Sequence, residues 1–566
     1  MAQTEISALL RSWNMDLCLL LLLTIASPFL FTWLFTSLSA HRAWKLANRT
    51  PPGLKRPPTL PYLIPILGHV IEFMRDGHKF MSKTSQYIDR AIPVRIVLPI
   101  FSNYVVSGPE NVLAYFRESR SLSTTSRSVI IMKNAFGCPA RLVHQFEPRE
   151  IPPGTKPEDN IEHQILRALN IGLSGTHLEG LAARFQDHLG EKIENSISGG
   201  NIATKWKTFP DLSKFVESQI FEAAVQAMFG THMLDLNPTL AEDFLSFNSS
   251  IGTLFMGLPW FMNPSACKAR ERMVENIKRW LKFTSENCPI ESLEDVDWEP
   301  FYGSKFTRER QVLLTRRGIV DETARAAENF AFMWAATANT MPAATWCLIE
   351  SLHDPSLKER LHNILPAAIQ PESTTSGKLP KFDILKLCEE PLMSSIYAET
   401  LRLRVAVLIV RQPSIDNFSF RGWHIKKDEV LSLSTRTEAM NEDVWNSSSH
   451  PLTEFYSDRF IVDPNDPSSG PFKEQKVKTK DGKPYFALDG SSNGAWIPYG
   501  GGNHLCPGRH FAKREIITTI ALLLSAYDMD LINEEKDKPE VDMKCFGFGT
   551  MPPDRPVAFR IRCRLG

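Results

Sequence analysis

The sequence predicts a mainly helical protein with small β-sheets, an α+β fold that follows one N-terminal transmembrane helix. An uncharged apolar segment lies near the N-terminus, and apolar residues recur at helical spacing through most of the chain after it. Strand-like runs interrupt the helical pattern at residues 93–99, 405–410, 429–434 and 556–564. Because no internal repeat and no second linker divides this part of the chain, we expect one large domain over residues 69–566.

The apolar segment predicts a membrane anchor. From Leu17 to Ala40 the chain has 24 residues without a charge, and about 20 apolar residues suffice to cross a bilayer. A cleaved signal peptide, the alternative, has a shorter apolar region followed by a small-residue cleavage site. Here basic residues follow instead, with no acidic residue until Glu72. This bias predicts a single-pass anchor over 17–40, with residues 1–16 lumenal and the C-terminal side in the cytosol.

Residues 41–68 predict a basic, proline-rich hinge. Six prolines lie between Pro51 and Pro65, and proline stiffens a chain without making it helical. We therefore expect a semi-rigid segment that holds the following domain at the membrane surface.

The composition excludes several classes of protein. Lys plus Arg equals Asp plus Glu at 64 each, so the chain lacks the basic field typical of nucleic-acid-binding proteins and we expect no nucleic acid as a partner. The nine cysteines have no repeated spacing, which argues against a disulfide framework and against a zinc site of CxxC pairs. A reducing, cytosolic environment for the main domain follows.

Cys506 lies in the glycine-rich stretch GGGNHLCPGRHF. Consecutive glycines are costly to order, which indicates that something flat lies against this backbone. An amphipathic run begins at Arg509, so Cys506 should precede a helix N-terminus, where backbone N–H groups and the helix dipole favour a thiolate. A thiolate ligates metal or acts as a nucleophile beside a histidine base. His504 and His510 keep the nucleophile open, but the glycines favour the ligand.

The stretch YGGGNHLCPGRHFA resembles the haem-binding loop of cytochrome P450. Tyr499 takes the aromatic place usually held by Phe, Gly502 the first glycine, His504 the basic position and Gly508 the last glycine. The resemblance implies that Cys506 is the axial ligand of the iron of haem b. It also implies that residues 69–566 are a haem-thiolate catalytic domain.

Other motifs extend the resemblance. YAETLRLR places Glu399 and Arg402 three residues apart, on one helical face. Such a pair alone is usually a solvated ion pair. EFYSDRF, at 454–460, resembles the family's PERF region and implies that Arg459 joins the pair in a buried Glu–Arg–Arg network.

Three more basic residues resemble haem contacts of the family. Arg411 ends an apolar strand nine residues after Arg402 and resembles the arginine that bonds a haem propionate. HQILR places His163 and Arg167 where the family commonly has Trp-x-x-x-Arg, with His in place of Trp. The resemblance spans roughly residues 60–566 and implies that these three side chains bind the cofactor.

A long helical pattern at 321–354 contains Pro342. Proline removes one backbone donor and crowds the carbonyl four residues back, so we expect the helix to open at Ala338 to Thr340. A plain kink in a buried helix is the alternative. In the family this helix crosses above haem and usually carries an acid and then a threonine here. Thr340 keeps the threonine, whereas Asn339 replaces the acid.

This replacement bears on proton supply, since the family's oxygen chemistry consumes two protons. Thr340 is expected to position a water, and the Asn339 amide to orient water or a substrate oxygen without titrating. The tracts ANTMPA and GFGTMPPDRPVAFRIR, together with the step to Arg411, resemble a branch with bile-acid sterol hydroxylases and prostacyclin synthase. That branch includes oxygenases and an isomerase that rearranges a peroxide.

The resemblance implies a monooxygenase that oxidises a lipophilic sterol-like, terpenoid-like or specialised-metabolite substrate with dioxygen. Its electrons would come from NADPH through NADPH–cytochrome P450 reductase, with cytochrome b5 as a further donor, at the endoplasmic reticulum membrane. Arg509, Lys513 and Arg514 would contribute to the reductase docking face. The residues expected to face the substrate are Phe332, Ala335, Ala336, Val407, Leu408, Thr550 and Met551.

Two alternatives remain at this point. Asn339 favours a redox-neutral isomerase or lyase that acts on a peroxide. A haem-binding or sterol-binding protein that never turns over is disfavoured by the retained Thr340.

Overall fold

The computed structural model describes residues 2–47, 49–51, 55–87, 89–98, 101–123, 125–146, 154–198, 205–289, 296–371, 379–427, 429–448, 450–475, 482–488, 494–532 and 538–564. Helices dominate these residues and the sheets are small, so the predicted fold class is confirmed. The helices of the N-terminal half are α1 (Ala2–Ala47), α2 (Val70–Arg75), α3 (Gly77–Ser85), α4 (Pro109–Arg117), α5 (Thr125–Asn134), α6 (Ile161–Gly172), α7 (Gly175–Ser198), α8 (Leu212–Phe229), α9 (His232–Asp235), α10 (Leu240–Asn248), α11 (Ile251–Phe255) and α12 (Pro264–Asn287).

The helices of the C-terminal half are α13 (Lys305–Arg317), α14 (Glu322–Thr337), α15 (Thr340–His353), α16 (Pro355–Ile364), α17 (Ile384–Glu389), α18 (Pro391–Arg404), α19 (Thr435–Ala439) and α20 (Arg509–Ala526). Short 3-10 turns lie at Val143–Phe146, Pro157–Asp159, Trp260–Met262, Leu365–Ala368, Gly502–His504 and Met543–Cys545. The predicted helix after Cys506 is confirmed, since α20 begins at Arg509.

The strands are β1 (Val94–Leu98), β2 (Phe101–Val106), β3 (Leu122–Ser123), β4 (Lys207–Phe209), β5 (Trp298–Glu299), β6 (Gly303–Ser304), β7 (Val405–Pro413), β8 (Phe418–Phe420), β9 (Trp423–Ile425), β10 (Val430–Ser434), β11 (Ile461–Val462), β12 (Tyr485–Phe486), β13 (Tyr527–Leu531), β14 (Phe548–Thr550) and β15 (Phe559–Cys563). The four strand-like runs of the sequence correspond to β1, β7, β10 and β15.

The largest sheet carries one wall of the candidate site. Its strands follow the order β1-β2-β10-β7-β14, and β3 also pairs with β7. The β10–β2 pair is parallel, whereas β7 pairs antiparallel with β10, β14 and β3. A three-stranded sheet has the order β13-β15-β4, and three two-stranded ribbons complete the described strands.

The hydrophobic core is centred on α15. Every residue from Thr340 to Ser351 is buried, as expected for a helix that is largely apolar on all sides. This helix packs against α8, α18 and α20. The predicted opening of the helix is also confirmed, because α14 ends at Thr337 and α15 begins at Thr340, two residues before Pro342.

The N-terminal helix α1 includes the predicted anchor. Its segment Leu20–Leu46 is long and apolar enough to cross a membrane. The proline-rich segment that follows is bonded to the domain at Pro58 and Leu60. Leu60 donates to the carbonyl of Arg95, and the backbone N–H of Arg95 donates to the carbonyl of Pro58, each at 2.8 Å. Proline cannot donate but still accepts, so a proline-rich segment can lie along a strand edge.

Candidate active site

A cavity of about 450 Å³ lies between the opening of the α14–α15 helix and the loop that carries Cys506. Its walls come from α6, α14, α15, β7, β14, the loop and the first turns of α20. Cys506, Thr340 and Arg411, which lie far apart in the sequence, all face this space. The volume is in the range of pockets that enclose small molecules.

Cys506 is held at the end of the loop by backbone contacts. Its N–H donates to the carbonyl of Tyr499 at 3.1 Å. Burial raises the pKa of the Cys506 thiol, while the backbone N–H groups of Gly508 and Arg509 and the Arg509 charge act in the opposite direction. The helix N-terminus acts in the expected direction, but in the protein chain alone desolvation outweighs it, so the net pKa is raised.

The sequence suggested that a flat ligand requires all three glycines before Cys506, but the structure gives two of them another role. Gly500 lines the cavity, and its φ of 70° lies in the left-handed region. At Gly501, a β-carbon would lie 2.6 Å from the Phe116 ring, and at Gly502 it would overlap the Phe116 carbonyl oxygen. Two of the glycines therefore let the loop pack against α4, and only Gly500 leaves space toward the cavity.

Arg411 and His504 form a basic wall of the cavity. Arg411 is 6% exposed, and burial lowers the pKa of its guanidinium. Among the residues that the structure describes, no carboxylate lies within ion-pair distance of it. Burial and the Arg411 charge lower the pKa of His504. A buried cation without a carboxylate partner favours a bound anion at this wall.

The structure does not bring His163 and Arg167 to the cavity. Both are exposed on α6, whereas Leu169 of this helix and Leu173, which follows its end, line the cavity. This part of the cavity wall therefore presents leucines rather than basic side chains.

Glu399, Arg402 and Arg459 meet in a buried network. Arg402 binds both carboxylate oxygens of Glu399, at 2.6 and 2.8 Å, and Arg459 Nε donates to Glu399 Oε1 at 2.8 Å. The remaining guanidinium N–H groups donate to backbone carbonyls, including those of Ala439 and Leu452. Burial opposes ionisation of Glu399, but the two arginines outweigh it and lower the pKa of the carboxyl.

On the opposite wall, the helix opening presents Thr340 and Asn339. The Thr340 hydroxyl donates to the carbonyl of Thr337 at 3.0 Å. The Asn339 side-chain oxygen accepts a hydrogen bond from the backbone N–H of Thr550 at 2.8 Å. The amide is therefore bonded to β14 and is not free to rotate toward the cavity centre.

The residues expected to face the substrate are divided between the cavity and its surroundings. Phe332, Ala335, Ala336, Val407 and Thr550 line the cavity. Met551 and Leu408 do not. The Met551 side chain is fully buried, and its carbonyl accepts from Trp346 Nε1 at 2.9 Å. Leu408 points to the other face of β7, because strand residues alternate between faces.

Two polar features at the wall of this cavity were not predicted from the sequence. Glu515, on α20, is fully buried, and burial raises its pKa well above the usual range. Neither of its carboxylate oxygens has a hydrogen-bond partner among the described residues. The sequence signal for Glu515 was a single carboxylate directly before the uncharged run 516–526. The Tyr397 and Tyr499 hydroxyls lie 2.5 Å apart, a contact that no local pattern indicates.

The sequence of this chain matches a known family over most of the domain. Residues 185–559 match the family model described as Cytochrome P450, and the chain belongs to this family. It is a cytochrome P450 monooxygenase, an oxidoreductase, as its curated relatives are. The predicted family is confirmed.

Two relatives match along nearly the whole chain. The cytochrome P450 monooxygenase fsoE of Humicola fuscoatra is 46% identical over 560 residues, which cover 96% of this chain and 94% of that protein. The cytochrome P450 monooxygenase efuG of Hormonema carpetanum is 46% identical over 553 residues, or 96% of each chain. The cholesterol 7-alpha-monooxygenase of Cricetulus griseus is 26% identical over 432 residues, which cover 74% of this chain and 78% of that protein.

The family implies a haem iron cofactor, and the cavity fits it. The Cys506 thiol opens into the cavity as a soft ligand for iron. Arg411, buried without a carboxylate partner among the described residues, suits the carboxylates of haem. The rest of the wall is mainly apolar, as a macrocycle requires.

Proposed function

We propose that the chain is a membrane-anchored haem-thiolate monooxygenase that oxidises a lipophilic polycyclic substrate of the sterol or triterpenoid class. The cavity that brings Cys506 opposite Thr340 carries this proposal. When bound there, haem supplies the redox chemistry of oxygen insertion, and the protein supplies ligation, orientation and exclusion of water.

Each part of the cavity has a role in this proposal. Cys506 ligates the iron, and Gly500 allows the macrocycle to approach the loop. Arg411 and His504 bind the haem carboxylates by charge-assisted hydrogen bonds. Thr340, which is buried at the helix opening and lines the cavity, would hold a water or a substrate oxygen there.

The substrate class follows from the apolar distal wall. Phe332, Ala335, Ala336 and Val407 line the cavity without a charge, and the two alanines leave room, which suits a rigid hydrocarbon skeleton. The similarity to cholesterol 7-alpha-monooxygenase supports a sterol-like skeleton. We extend the proposal to fungal-type specialised metabolites because the two most extensive matches above come from Humicola and Hormonema.

The membrane position is part of the proposal. The apolar α1 segment anchors the chain in the endoplasmic reticulum with the catalytic domain in the cytosol. A second exposed apolar stretch lies between α11 and α12, where Trp260 is 71% and Phe261 is 66% exposed. Such a patch suits insertion into lipid. Brominated lipids should quench fluorescence from the wild-type chain more strongly than from Trp260→Phe.

The electron donor is proposed to be NADPH–cytochrome P450 reductase, with cytochrome b5 as a further donor. The basic residues after the ligand loop support this docking face less than the sequence suggested. Lys513 donates to the carbonyl of Cys388 and to Ser394 Oγ, each at 2.9 Å. Arg509 donates to the carbonyl of Cys506 at 3.0 Å. Arg509 therefore stabilises the loop, whereas Lys513 is bonded to α17 and α18. Arg514 remains the candidate for reductase contact.

The second candidate is a redox-neutral isomerase or lyase that acts on a peroxide, and the non-titrating Asn339 favours it. An assay with cholesterol and lanosterol separates the two. The monooxygenase requires NADPH, reductase and dioxygen and adds one oxygen atom to the substrate. Conversion of a lipid peroxide without NADPH or reductase, and no oxidation of either sterol, would support the isomerase instead.

A further inference from the structure

A second cavity lies behind the helix opening, on the side away from Cys506. Its volume is about 310 Å³, enough for on the order of ten waters. Its walls come from the start of α8, the α10–α11 turn, the helix opening and the segment 545–556. Unlike the haem cavity, it is lined by several charged side chains of α8 and the C-terminal segment: Asp211, Lys214, Glu217, Asp554 and Arg555.

The two cavities share a wall. Asn339 and Thr550 line both of them, and the hydrogen bond between these residues lies at the partition. Ala338 and Pro342 line the outer cavity only. Because Pro342 has no N–H, the Ala338 carbonyl lacks its usual helical donor at this point.

Glu217 is the carboxyl in this cavity that can hold a proton at neutral pH. Burial, with a contribution from the Asp211 charge, raises the pKa of Glu217 to about 8. Among the described residues, Glu217 forms no hydrogen bond and no ion pair, so nothing there fixes its ionised form. Asp211 differs, because its carboxylate caps α8 by accepting from the N–H of Ser213 at 3.0 Å.

Other charged and titratable groups line the same cavity. Lys214 lies on the same helix, while Asp554 and Arg555 come from the C-terminal segment. Cys545 is close enough that the Glu217 charge contributes to raising the pKa of its thiol to about 11, after burial and Asp542. At neutral pH this thiol is protonated, so Glu217 is the acid that titrates nearest to neutrality in this group.

Three fully buried carboxyls of the described chain either have a bonding partner or lie elsewhere. Glu350 forms ion pairs with Arg404 and Lys538. Glu438 accepts from the N–H of Gly108. Glu515 lies on the Cys506 side of the haem cavity.

We propose that Glu217 is a proton-relay residue that replaces the acid missing at position 339. This inference rests on the proposed monooxygenase function. The O–H bond of the Glu217 carboxylic acid breaks and the proton passes to a water in the outer cavity. It continues past the Asn339–Thr550 partition to the water that Thr340 holds. The carboxylate then recovers a proton from bulk solvent. Glu217 therefore ends the cycle in its initial protonated form, and no electron is transferred.

The test uses the full chain in membranes with haem, reductase and NADPH, and whichever of cholesterol and lanosterol it oxidises. Glu217→Gln should lower the product formed per NADPH about tenfold or more, with the loss appearing as hydrogen peroxide. Glu222→Gln is the matched control, because Glu222 lies on the same helix but pairs with Lys192 at 3.0 Å. In this control, the product formed per NADPH (the coupling) should equal that of the wild type.

The pH profile and a rescue variant distinguish a proton-relay role of Glu217 from a purely structural role. Wild-type coupling should fall as pH rises through about 8, where Glu217 loses its proton, and the Glu217→Gln profile should be flat there. Asn339→Asp keeps the oxygen that accepts from Thr550 and adds an acid, so it should restore coupling in the Glu217→Gln background. Equal coupling of Glu217→Gln and Glu222→Gln would overturn the relay.

An infrared measurement tests the acid without turnover. The ferric protein should show the C=O band of a protonated carboxylic acid that Glu217→Gln removes and that disappears above about pH 8. A spectrum unchanged by the substitution would overturn the proposal even if the enzyme works. If the wild-type chain oxidises neither sterol but shows the band, the proposed substrate class fails. Peroxide conversion without NADPH would overturn the monooxygenase and the relay together.

Discussion

The side-chain oxygen of Asn339 accepts a hydrogen bond from the backbone N–H of Thr550 at 2.8 Å. This bond joins the opened helix to β14, more than two hundred residues further along the chain. An ionised aspartate could accept the same bond, but asparagine accepts it without placing a charge beside the haem cavity. The residue that departs from the family pattern therefore has a structural role at the wall between two cavities.

The first prediction concerns Gly549, which lies against this amide. A β-carbon at position 549 would overlap Asn339 Oδ1, so Gly549→Ala should break the bond to Thr550 and destabilise the fold by about 1–3 kcal/mol. Thermal unfolding measures the loss of stability, and the absorbance change on sterol binding reports on the cavity wall that the bond holds in place. Gly190→Ala is the control, since the nearest atom there is 3.7 Å away and alanine favours a helix. Equal stability of the two variants would contradict the close contact.

The second prediction concerns the buried arginine network. Arg402→Ala removes the bidentate partner of Glu399 in a region without exposure to solvent, and should lower the free energy of unfolding by about 3–5 kcal/mol. Urea unfolding with haem content as a second readout measures this loss. Arg360→Ala breaks a bidentate pair with Asp458 in which the Arg360 side chain is 43% exposed, and should cost about 1 kcal/mol or less. Similar losses for both would argue against the network.

The third prediction is a pH dependence. The two arginines hold the pKa of Glu399 below its ordinary value of 4.5 although burial opposes them. A carboxyl with a depressed folded pKa contributes stability that is complete above its unfolded pKa and is lost as pH falls through the folded one. The wild type should therefore lose stability below about pH 4.5, and Glu399→Gln should show a weaker acid dependence from a lower starting stability. Parallel pH profiles would contradict this assignment.

The fourth prediction compares two arginines that the sequence treated alike. Arg411→Gln removes the buried cation of the cavity wall and should speed haem transfer to apomyoglobin about tenfold or more, as expected for a lost charge-assisted bond. Arg167→Gln should leave the transfer rate unchanged, because Arg167 lies on the exposed face of α6. The reverse order would mean that α6 rotates when haem binds.

The sequence predicted features that depend on local chemistry. Pro342 necessarily removes a helical donor, so the opening between Thr337 and Thr340 could be located in advance. The helix from Arg509 follows from its amphipathic pattern. Glu399 and Arg402 share a helical face because their separation is three residues.

The remaining features depend on contacts between distant segments. Arg167 is turned outward because another side of α6 packs against α7 and α13. Glu217 precedes Asn339 by more than a hundred residues, and no local pattern indicates that both line one cavity. Gly501 and Gly502 are explained only when Phe116 of α4 is placed beside them. Tertiary packing decided these positions.

A carbon monoxide difference spectrum of the reduced full chain in membranes, beside Cys506→Ala, tests the thiolate ligand directly. We expect a strongly red-shifted Soret band in the wild type and its absence in the variant, because only a thiolate ligand gives that shift. A folded wild-type chain that binds no haem, or binds it without that band, would contradict the assignment of Cys506 and the function proposed from it.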